Sequence, residues 1–139
     1  MERFSVSTRR RAEFVDITSE VKKIVAQAGN VPGLCHVFVP HTTAGVTVNE
    51  NADPSVVRDL LAGLARLVPE EGDYTHGEGN SDAHLKASML GSSVTVPVSE
   101  GAGGVGLCLG RWQGIYFCEF DGPRTREVWV TVMGAPGKG

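Results

Sequence analysis

Three histidines lie at the edges of two polar stretches of the chain. His41 follows an apolar run, His76 lies in a glycine-rich stretch, and His84 comes eight residues later. Three imidazoles, or two with a carboxylate such as Glu50 or Asp82, would form an open site for a divalent ion such as Zn²⁺ or Mg²⁺. The spacing matches no compact metal motif, and isolated histidines are more often surface or structural residues, so both interpretations stay open. His36, inside an apolar run, is more typical of a hydrogen-bonded core histidine.

A glycine-rich segment at residues 77–81 leads into a predicted short helix. Free N–H groups at a helix start, the side chains of Asn80 and Ser81, and Lys86 one turn later would suit a phosphate. Arg124, just past a predicted turn, would add a bidentate donor. The segment matches neither a P-loop nor a dinucleotide-binding fingerprint. A plain N-cap and a solvated arginine therefore explain these residues as well.

A third polar cluster covers residues 110–121. On an extended strand Gln113 and Glu119 share one face with two apolar residues, which places a carboxylate among apolar neighbours. A carboxylate in that setting would suit general acid–base work. The simpler interpretation is a carboxylate at the strand end that reaches solvent.

Two main helices and one short helix are predicted to position these residues. The first helix has Thr18 or Ser19 as its cap and stops at Gly29-Asn30. The second begins with Asp53 as N-cap and Pro54 at the first helical position, and its apolar face ends near residue 68. Residues 70–81 lack periodicity and form a loop, and the short helix follows, ending at Gly91.

Alternating apolar residues and turn residues predict strands at 3–8, 11–17, 33–40, 46–49, 94–98, 105–109, 112–120 and 127–133. The first two are expected to form a hairpin around the arginines at 9–11, and the last two are expected to form a hairpin with its turn at 121–123. Strand 33–40 is expected to bury both faces. Because most connections resemble hairpins, we expect an α+β fold with a largely antiparallel sheet, in one domain spanning residues 1–139.

Composition narrows the class of protein further. The chain has 139 residues, the usual size of one domain, and a net charge of −3, which argues against nucleic acid as a partner. It contains no stretch apolar enough to cross a bilayer and no signal-peptide core, so the expected location is cytoplasmic. Its three cysteines lie beside apolar residues and are expected to be buried small hydrophobic residues.

Three long blocks of sequence resemble the signature blocks of the YjbQ/UPF0047 family. They are HTTAGVTVNENADP at 41–54, EGNSDAHLKASMLGSSVTVPV at 78–98 and GRWQGIYFCEFDGPR at 110–124. The resemblance runs through nearly the whole chain. One position departs from the family pattern, because Arg111 stands where the family usually has Thr, and no family role is assigned to it.

The resemblance implies a small α+β fold assembled as a homotrimer, with a metal site of His, Asp and Glu residues near subunit boundaries. By that resemblance the candidate metal ligands are His41, His76 and His84. The candidate catalytic or substrate-holding residues are His84, Asp82, Glu119 and Arg124. The candidate substrate- or phosphate-binding residues are Asn80, Ser81, Lys86 and Gln113.

The resemblance also implies a secondary, low-level thiamine-phosphate synthase activity. Such an enzyme transfers the pyrimidinylmethyl group of hydroxymethylpyrimidine diphosphate to thiazole phosphate and releases pyrophosphate. A metal ion, Arg124, Lys86 and a helix N-terminus would stabilise the charge on the leaving group. The alternative is a trimeric module that binds a metal or small ligand without turnover.

Overall fold

A computed structural model describes residues 1–29 and 31–135. The predicted helix stop at Asn30 and most of the C-terminal tail lie outside the described residues. Within them the helices are α1 (Thr18–Gln27), α2 (Pro54–Leu67) and α3 (Ser81–Leu90). The strands are β1 (Glu2–Ser7), β2 (Glu13–Asp16), β3 (Gly33–Phe38), β4 (Ala44–Glu50), β5 (Ser93–Gly101), β6 (Gly104–Leu107), β7 (Gln113–Glu119) and β8 (Thr125–Gly134).

The strands form two antiparallel sheets, which confirms the α+β class. One sheet has the order β1-β8-β3-β5-β6 and the other has the order β2-β7-β4. Every pairing between strands in the described residues is antiparallel. The main apolar core lies between the sheets and α1, and it includes Val21, Val37, Phe117 and Val130.

The predicted hairpins at the two ends of the chain are wrong. β1 pairs with β8 and β2 pairs with β7, so the segment around the arginines carries the chain from one sheet to the other. The turn at 121–123 does the same between β7 and β8. Among the described strands only β5 and β6 are sequence neighbours that pair. Both sheet-changing segments carry an arginine that contacts a carboxylate, Arg11 with Asp82 and Arg124 with Asp121.

The second and third helices begin where the sequence predicted. Asp53 caps α2 by accepting the Ser55 N–H at 2.9 Å, with Pro54 in the first turn. α3 begins at Ser81 with Asn80 as N-cap, although the Asn80 side chain makes no capping bond. The cap of α1 was predicted wrongly, because Ile17 is its N-cap residue and makes no side-chain capping bond, while Asp16 accepts both the N–H and the hydroxyl of Thr18.

Two expectations about burial are also wrong. β3 buries one face, with Cys35 and Val37, while Leu34 is 44% exposed and His36 is half-buried and bonded to Thr95. Of the cysteines, Cys35 and Cys118 are buried but Cys108 is exposed. The alternation of residue types predicts which side chains share a face of a strand. It does not predict which of the two faces other elements cover.

The described residues include no helix that is both long and apolar enough to span a bilayer.

Candidate functional site

A polar cleft of about 430 Å³ lies where three connections and one helix meet. The connections are those between β3 and β4, between α2 and α3, and between β7 and β8, and the helix is α3. All three candidate histidines line this cleft, together with arginine, asparagine, threonine and carboxylate side chains. Its lining residues are Pro40, His41, Thr42, Thr43, His76, Glu78, Asn80, His84, Asp121, Arg124 and Arg126.

His41 is fixed by the backbone of β8. Its Nε2 accepts the N–H of Glu127 at 2.9 Å. Burial and the neighbouring guanidinium of Arg126 lower the pKa of His41 below its ordinary value of 6.5. Because a backbone N–H can only donate, Nε2 is the unprotonated nitrogen, and neutral His41 carries its proton on Nδ1. Neutral His41 therefore has one hydrogen-bond donor, the N–H at Nδ1.

His76 and His84 lie against each other in the same cleft. Their ring centroids are 5.3 Å apart and the rings are perpendicular. His84 projects from α3, while His76 lies in the preceding loop, with half of its side chain exposed and its Nε2 3.8 Å from Glu78 Oε2. Gly79 changes the direction of that loop just before α3 begins, and its φ of 73° lies in the left-handed region that favours glycine. The loop and the helix together place two imidazoles at one point of the cleft.

The donors of one chain do not fit a metal ion in this arrangement. Within residues 1–29 and 31–135 no group of three His, Cys, Asp or Glu side chains is placed to hold one. His41 could bind an ion through Nε2 only by releasing the Glu127 N–H, and through Nδ1 only with a proton on Nε2, which that N–H opposes.

Glu119 is fully buried, so the expectation that it reaches solvent is wrong. Arg126 donates to both carboxylate oxygens, through Nε at 2.9 Å and Nη2 at 2.5 Å. The Thr8 hydroxyl and the backbone N–H groups of Phe120 and Asp121 donate to the same carboxylate. With five donors around it, Glu119 is not free to move a proton. It acts as a positioning residue for Arg126.

Arg126 connects that buried pair to the cleft. Its Nη2 also donates to the hydroxyl of Thr43 at 2.8 Å, and both residues line the cleft. Sequence reasoning missed Arg126. The signal was present, since Arg126, Val128 and Val130 alternate on one face of β8 and all three are buried. A charge on the buried face of a strand requires a buried partner.

Asp82 and Lys86 pair with each other below the cleft. Lys86 Nζ lies 3.0 Å from one oxygen of Asp82, and Arg11 Nη2 lies 2.9 Å from the other. Asp82 is 1% exposed and Lys86 is 6% exposed, and neither lines the cleft. They hold the start of α3 to the segment between β1 and β2. Arg11, which we expected at the turn of a hairpin, is part of this structural network.

Asp121 organises the far end of the cleft. Its Oδ2 accepts from Asn80 Nδ2 and from Arg124 Nη2, both at 2.9 Å. Arg124 also donates through Nε to the Asp121 carbonyl at 2.8 Å, and 54% of its side chain stays exposed. The carboxylate fixes the Asn80 amide with its nitrogen toward Asp121. Asn80 Oδ1 is then buried without a hydrogen-bond partner.

Two other candidates lie outside the cleft. Ser81 is the first residue of α3 and lines an adjoining pocket rather than the cleft. Gln113 begins β7, and its Oε1 accepts the N–H of Gly110 at 2.7 Å. The structure thus brings together His41, His76, His84, Asn80 and Arg124. It separates from them Asp82, Lys86, Gln113 and the carboxylate of Glu119.

Comparison with known proteins agrees with this architecture. The sequence model of the family described as UPF0047 protein YjbQ-like matches residues 2–135. The UPF0047 protein MJ1081 of Methanocaldococcus jannaschii is 46% identical over 132 residues, covering 95% of this chain and 93% of that protein. The UPF0047 protein YugU of Bacillus subtilis is 47% identical over 130 residues, covering 93% and 96%.

Solved structures show the same fold. A protein of the YjbQ/UPF0047 family from Clostridium acetobutylicum superimposes with a TM-score of 0.90 at 51% identity, over 96% of this chain and 100% of that one. A hypothetical protein from Aeropyrum pernix gives a TM-score of 0.89 at 39% identity, over 96% and 98%. The chain is a single α+β unit with a histidine-lined cleft, and it belongs to the YjbQ/UPF0047 family.

Proposed function

We propose that the cleft binds the phosphate groups of a small phosphorylated molecule. The observation that carries this proposal is that His41, His76, His84 and Arg124 line one cleft at the N-terminal end of α3. Arg124 supplies a half-exposed guanidinium, and neutral His41 supplies an N–H. A planar guanidinium and neutral N–H donors suit phosphate oxygens, and the positive end of a helix dipole favours an anion beside it.

The buried ion pair of Glu119 and Arg126 supports the same proposal. Because Glu119 compensates its charge, Arg126 can remain charged at 6% side-chain exposure while it bonds Thr43 on the cleft wall. Thr43 and Arg126 are thereby fixed before a ligand arrives. Groups already held in place bind an anion without further loss of conformational entropy.

The reaction that we propose is thiamine phosphate formation at a low, secondary rate. The diphosphate of hydroxymethylpyrimidine would lie in the cleft, a ring nitrogen of thiazole phosphate would form the new C–N bond, and pyrophosphate would leave with the bonding electrons. Arg124 and the histidine N–H donors would stabilise the charge on pyrophosphate as it departs. His84, which lies on α3 beside His76, is the residue we assign to protonating the leaving group.

A second candidate is a binding module without turnover. The observation in its favour is that Asp82 and Glu119 are both held in buried ion pairs, which leaves neither carboxylate free as a general base. Asp121 is also paired, with Arg124 and Arg11. The other carboxylate among the lining residues is Glu78, and 73% of its side chain is exposed.

Calorimetric titration with inorganic pyrophosphate tests the binding site. Arg124→Ala should weaken binding about tenfold or more, because a hydrogen bond to a charged group contributes roughly 1.5–3 kcal/mol. Arg10→Ala is the matched control, since Arg10 is exposed and does not line the cleft. Pyrophosphate binding that is absent from the wild type, or equal in both variants, would refute the proposed site.

A product assay separates the two candidate functions. Purified protein is incubated with hydroxymethylpyrimidine diphosphate and thiazole phosphate, and thiamine phosphate is measured against a His84→Ala control. Product above that control supports the synthase. Pyrophosphate binding with no product above the control refutes the synthase and supports the binding module.

Of the predicted ligands, a divalent ion is the one that the side chains of the cleft support least. Among the described residues of one chain, no three His, Cys, Asp or Glu side chains are placed to hold Zn²⁺ or Mg²⁺, and His41 Nε2 already accepts the Glu127 N–H. Elemental analysis of the purified protein and of a His41→Ala variant tests it directly. Stoichiometric metal that is lost in the variant would support the ion and would require the His41 ring to turn.

A homotrimer in the cytosol completes the proposal. Its support is the incomplete burial of α2, which buries none of its residues fully and leaves Leu67 71% exposed. Light scattering should then give three times 14.7 kDa. A reducing compartment suits the free thiols of Cys35, Cys108 and Cys118.

A further inference from the structure

A second pocket opens directly beside the polar cleft. It has a volume of about 430 Å³ and is lined by Asp73, Tyr74, Thr75, His76, Ser81, His84 and Leu85. Its size falls in the range of pockets that hold small ligands. His76 and His84 line both cavities, so the two spaces meet at this pair of rings.

Tyr74 is held in place at this pocket from two sides. Its hydroxyl donates to the carbonyl of Pro69 at 2.6 Å, and its backbone N–H donates to the carbonyl of Gly72 at 2.9 Å. A Cβ at position 72 would approach the Tyr74 ring to 3.1 Å, so the glycine lets the ring sit close to the backbone. The ring is therefore positioned before any ligand binds.

The other walls of the pocket complement a flat apolar group. His76 and His84 present perpendicular rings, and Leu85 is 46% exposed although it is a large apolar residue. Aromatic side chains prefer stacked or edge-to-face contact with another ring, and they contribute more to ring partners than to aliphatic ones of similar area. Three ring side chains and one leucine therefore favour a planar ring over an alkyl chain.

We infer that the planar ring carried by the phosphorylated ligand of the cleft occupies the adjoining pocket formed by Tyr74, His76, His84 and Leu85. This inference rests on the proposed phosphate site, since a phosphate in the cleft directs the attached group past His76 and His84. It adds a subsite for the ring, with Tyr74 and Leu85 as residues that determine specificity.

Calorimetry with three probes tests the inference: inorganic phosphate, phenyl phosphate and cyclohexyl phosphate. Wild-type protein should bind phenyl phosphate about tenfold more tightly than inorganic phosphate, the size of effect that one buried aromatic contact gives. Cyclohexyl phosphate should lose most of that advantage. Equal affinity for the phenyl and cyclohexyl esters would overturn the claim of a ring-specific pocket.

Variants separate this inference from the proposed phosphate site. Tyr74→Ala and Leu85→Ala should each reduce the advantage of phenyl phosphate at least threefold and leave inorganic phosphate unchanged. Met89→Ala is the control, because Met89 is exposed one turn later on α3 and does not line the pocket. Tyr74→Phe keeps the ring and should keep the advantage if it folds with the same circular dichroism spectrum.

These titrations distinguish failure of the ring subsite from failure of the phosphate site. If both phosphates bind, but the advantage of the phenyl ester is absent from wild type or persists in Tyr74→Ala and Leu85→Ala, the ring subsite is refuted and the phosphate site stands. If neither phosphate binds, or if Arg124→Ala binds both as the wild type does, the phosphate site fails and this inference fails with it.

Discussion

Glu119 and Arg126 form an ion pair that joins the two sheets inside the protein. Glu119 ends β7 of the three-stranded sheet, Arg126 lies on β8 of the five-stranded sheet, and their side chains are 0% and 6% exposed. Thr8, just after β1, donates to the same carboxylate at 2.8 Å. The pair thus fixes the position of the two sheets relative to each other, next to the cleft that Arg126 lines.

Removing one partner of this pair should destabilise the fold strongly. Arg126→Met keeps most of the side-chain volume but leaves the Glu119 carboxylate buried without its counter-charge. Losing one member of a buried pair typically costs about 3–5 kcal/mol in the free energy of unfolding. Urea unfolding at fixed protein concentration measures this change, and Arg10→Met, an exposed control, should stay within about 0.5 kcal/mol of the wild type. A loss below about 1 kcal/mol in Arg126→Met would show that the pair is not structurally important.

Gly122 lets two backbone segments approach each other beside that pair. A Cβ at this position would collide with the carbonyl of Arg10 and would lie 2.8 Å from the Glu119 side chain and 2.9 Å from the Thr8 hydroxyl. Gly122→Ala should therefore reduce the free energy of unfolding by about 1–3 kcal/mol, as overpacking of a filled site does.

Gly77 provides the matched control for that substitution. A Cβ there would meet nothing within 4 Å, and its φ is not positive. Thermal unfolding of Gly77→Ala should be close to that of the wild type. If the two alanine variants unfold at the same temperature, the close approach at Gly122 has no energetic weight.

Local features of the fold were predictable because they depend on neighbouring residues. Asp53 and Pro54 mark the start of α2, and Gly91, with φ of 92°, marks the end of α3. The pairing of strands was not predictable in this way. Alternation in β2 and β7 shows which residues share a face, but the choice of partner depends on how the whole chain folds. The hairpins expected at residues 9–11 and 121–123 failed for this reason.

The same difference applies to the candidate site: some of its features depend on neighbouring residues and others on residues far away in the sequence. His41, His76 and His84 were identifiable because each is a histidine in a polar segment close to an element boundary. The roles of Asp82 and Glu119 were not, because their partners decide them. Arg11 binds Asp82 from 71 residues away in the sequence, and nothing near position 82 indicates that the carboxylate is already paired.

Lowering the pH should destabilise the protein through His41. Burial and Arg126 lower the pKa of His41 in the folded state below 6.5, so the unfolded chain binds its proton more readily. The stabilising contribution of the neutral ring is present above pH 6.5 and is lost as the pH falls toward the folded-state pKa. His41→Gln retains an acceptor for the Glu127 N–H and does not titrate there.

A comparison of the wild type with His41→Gln separates the contribution of His41 to stability from those of the other histidines. Denaturant unfolding of both proteins from pH 7.5 to pH 5 should show the wild type losing more stability than His41→Gln. A parallel dependence of the two curves on pH would mean that His41 has the same pKa in the folded and unfolded states.

One thiol of the three should react rapidly in the folded protein. Cys108 is exposed, with its Sγ 2.9 Å from the Ser99 hydroxyl. Burial raises the pKa of Cys35 to about 11 and raises that of Cys118 further still, so neither forms the thiolate that attacks a disulfide reagent near pH 8.

Ellman's reagent at that pH should therefore label one thiol per chain in native protein and three in denaturant. Cys108→Ser should abolish the rapid native phase and leave two thiols in denaturant, whereas Cys35→Ser should leave the rapid phase intact. Rapid labelling of a second native thiol would show that the strands covering Cys35 or Cys118 open more readily than their burial indicates.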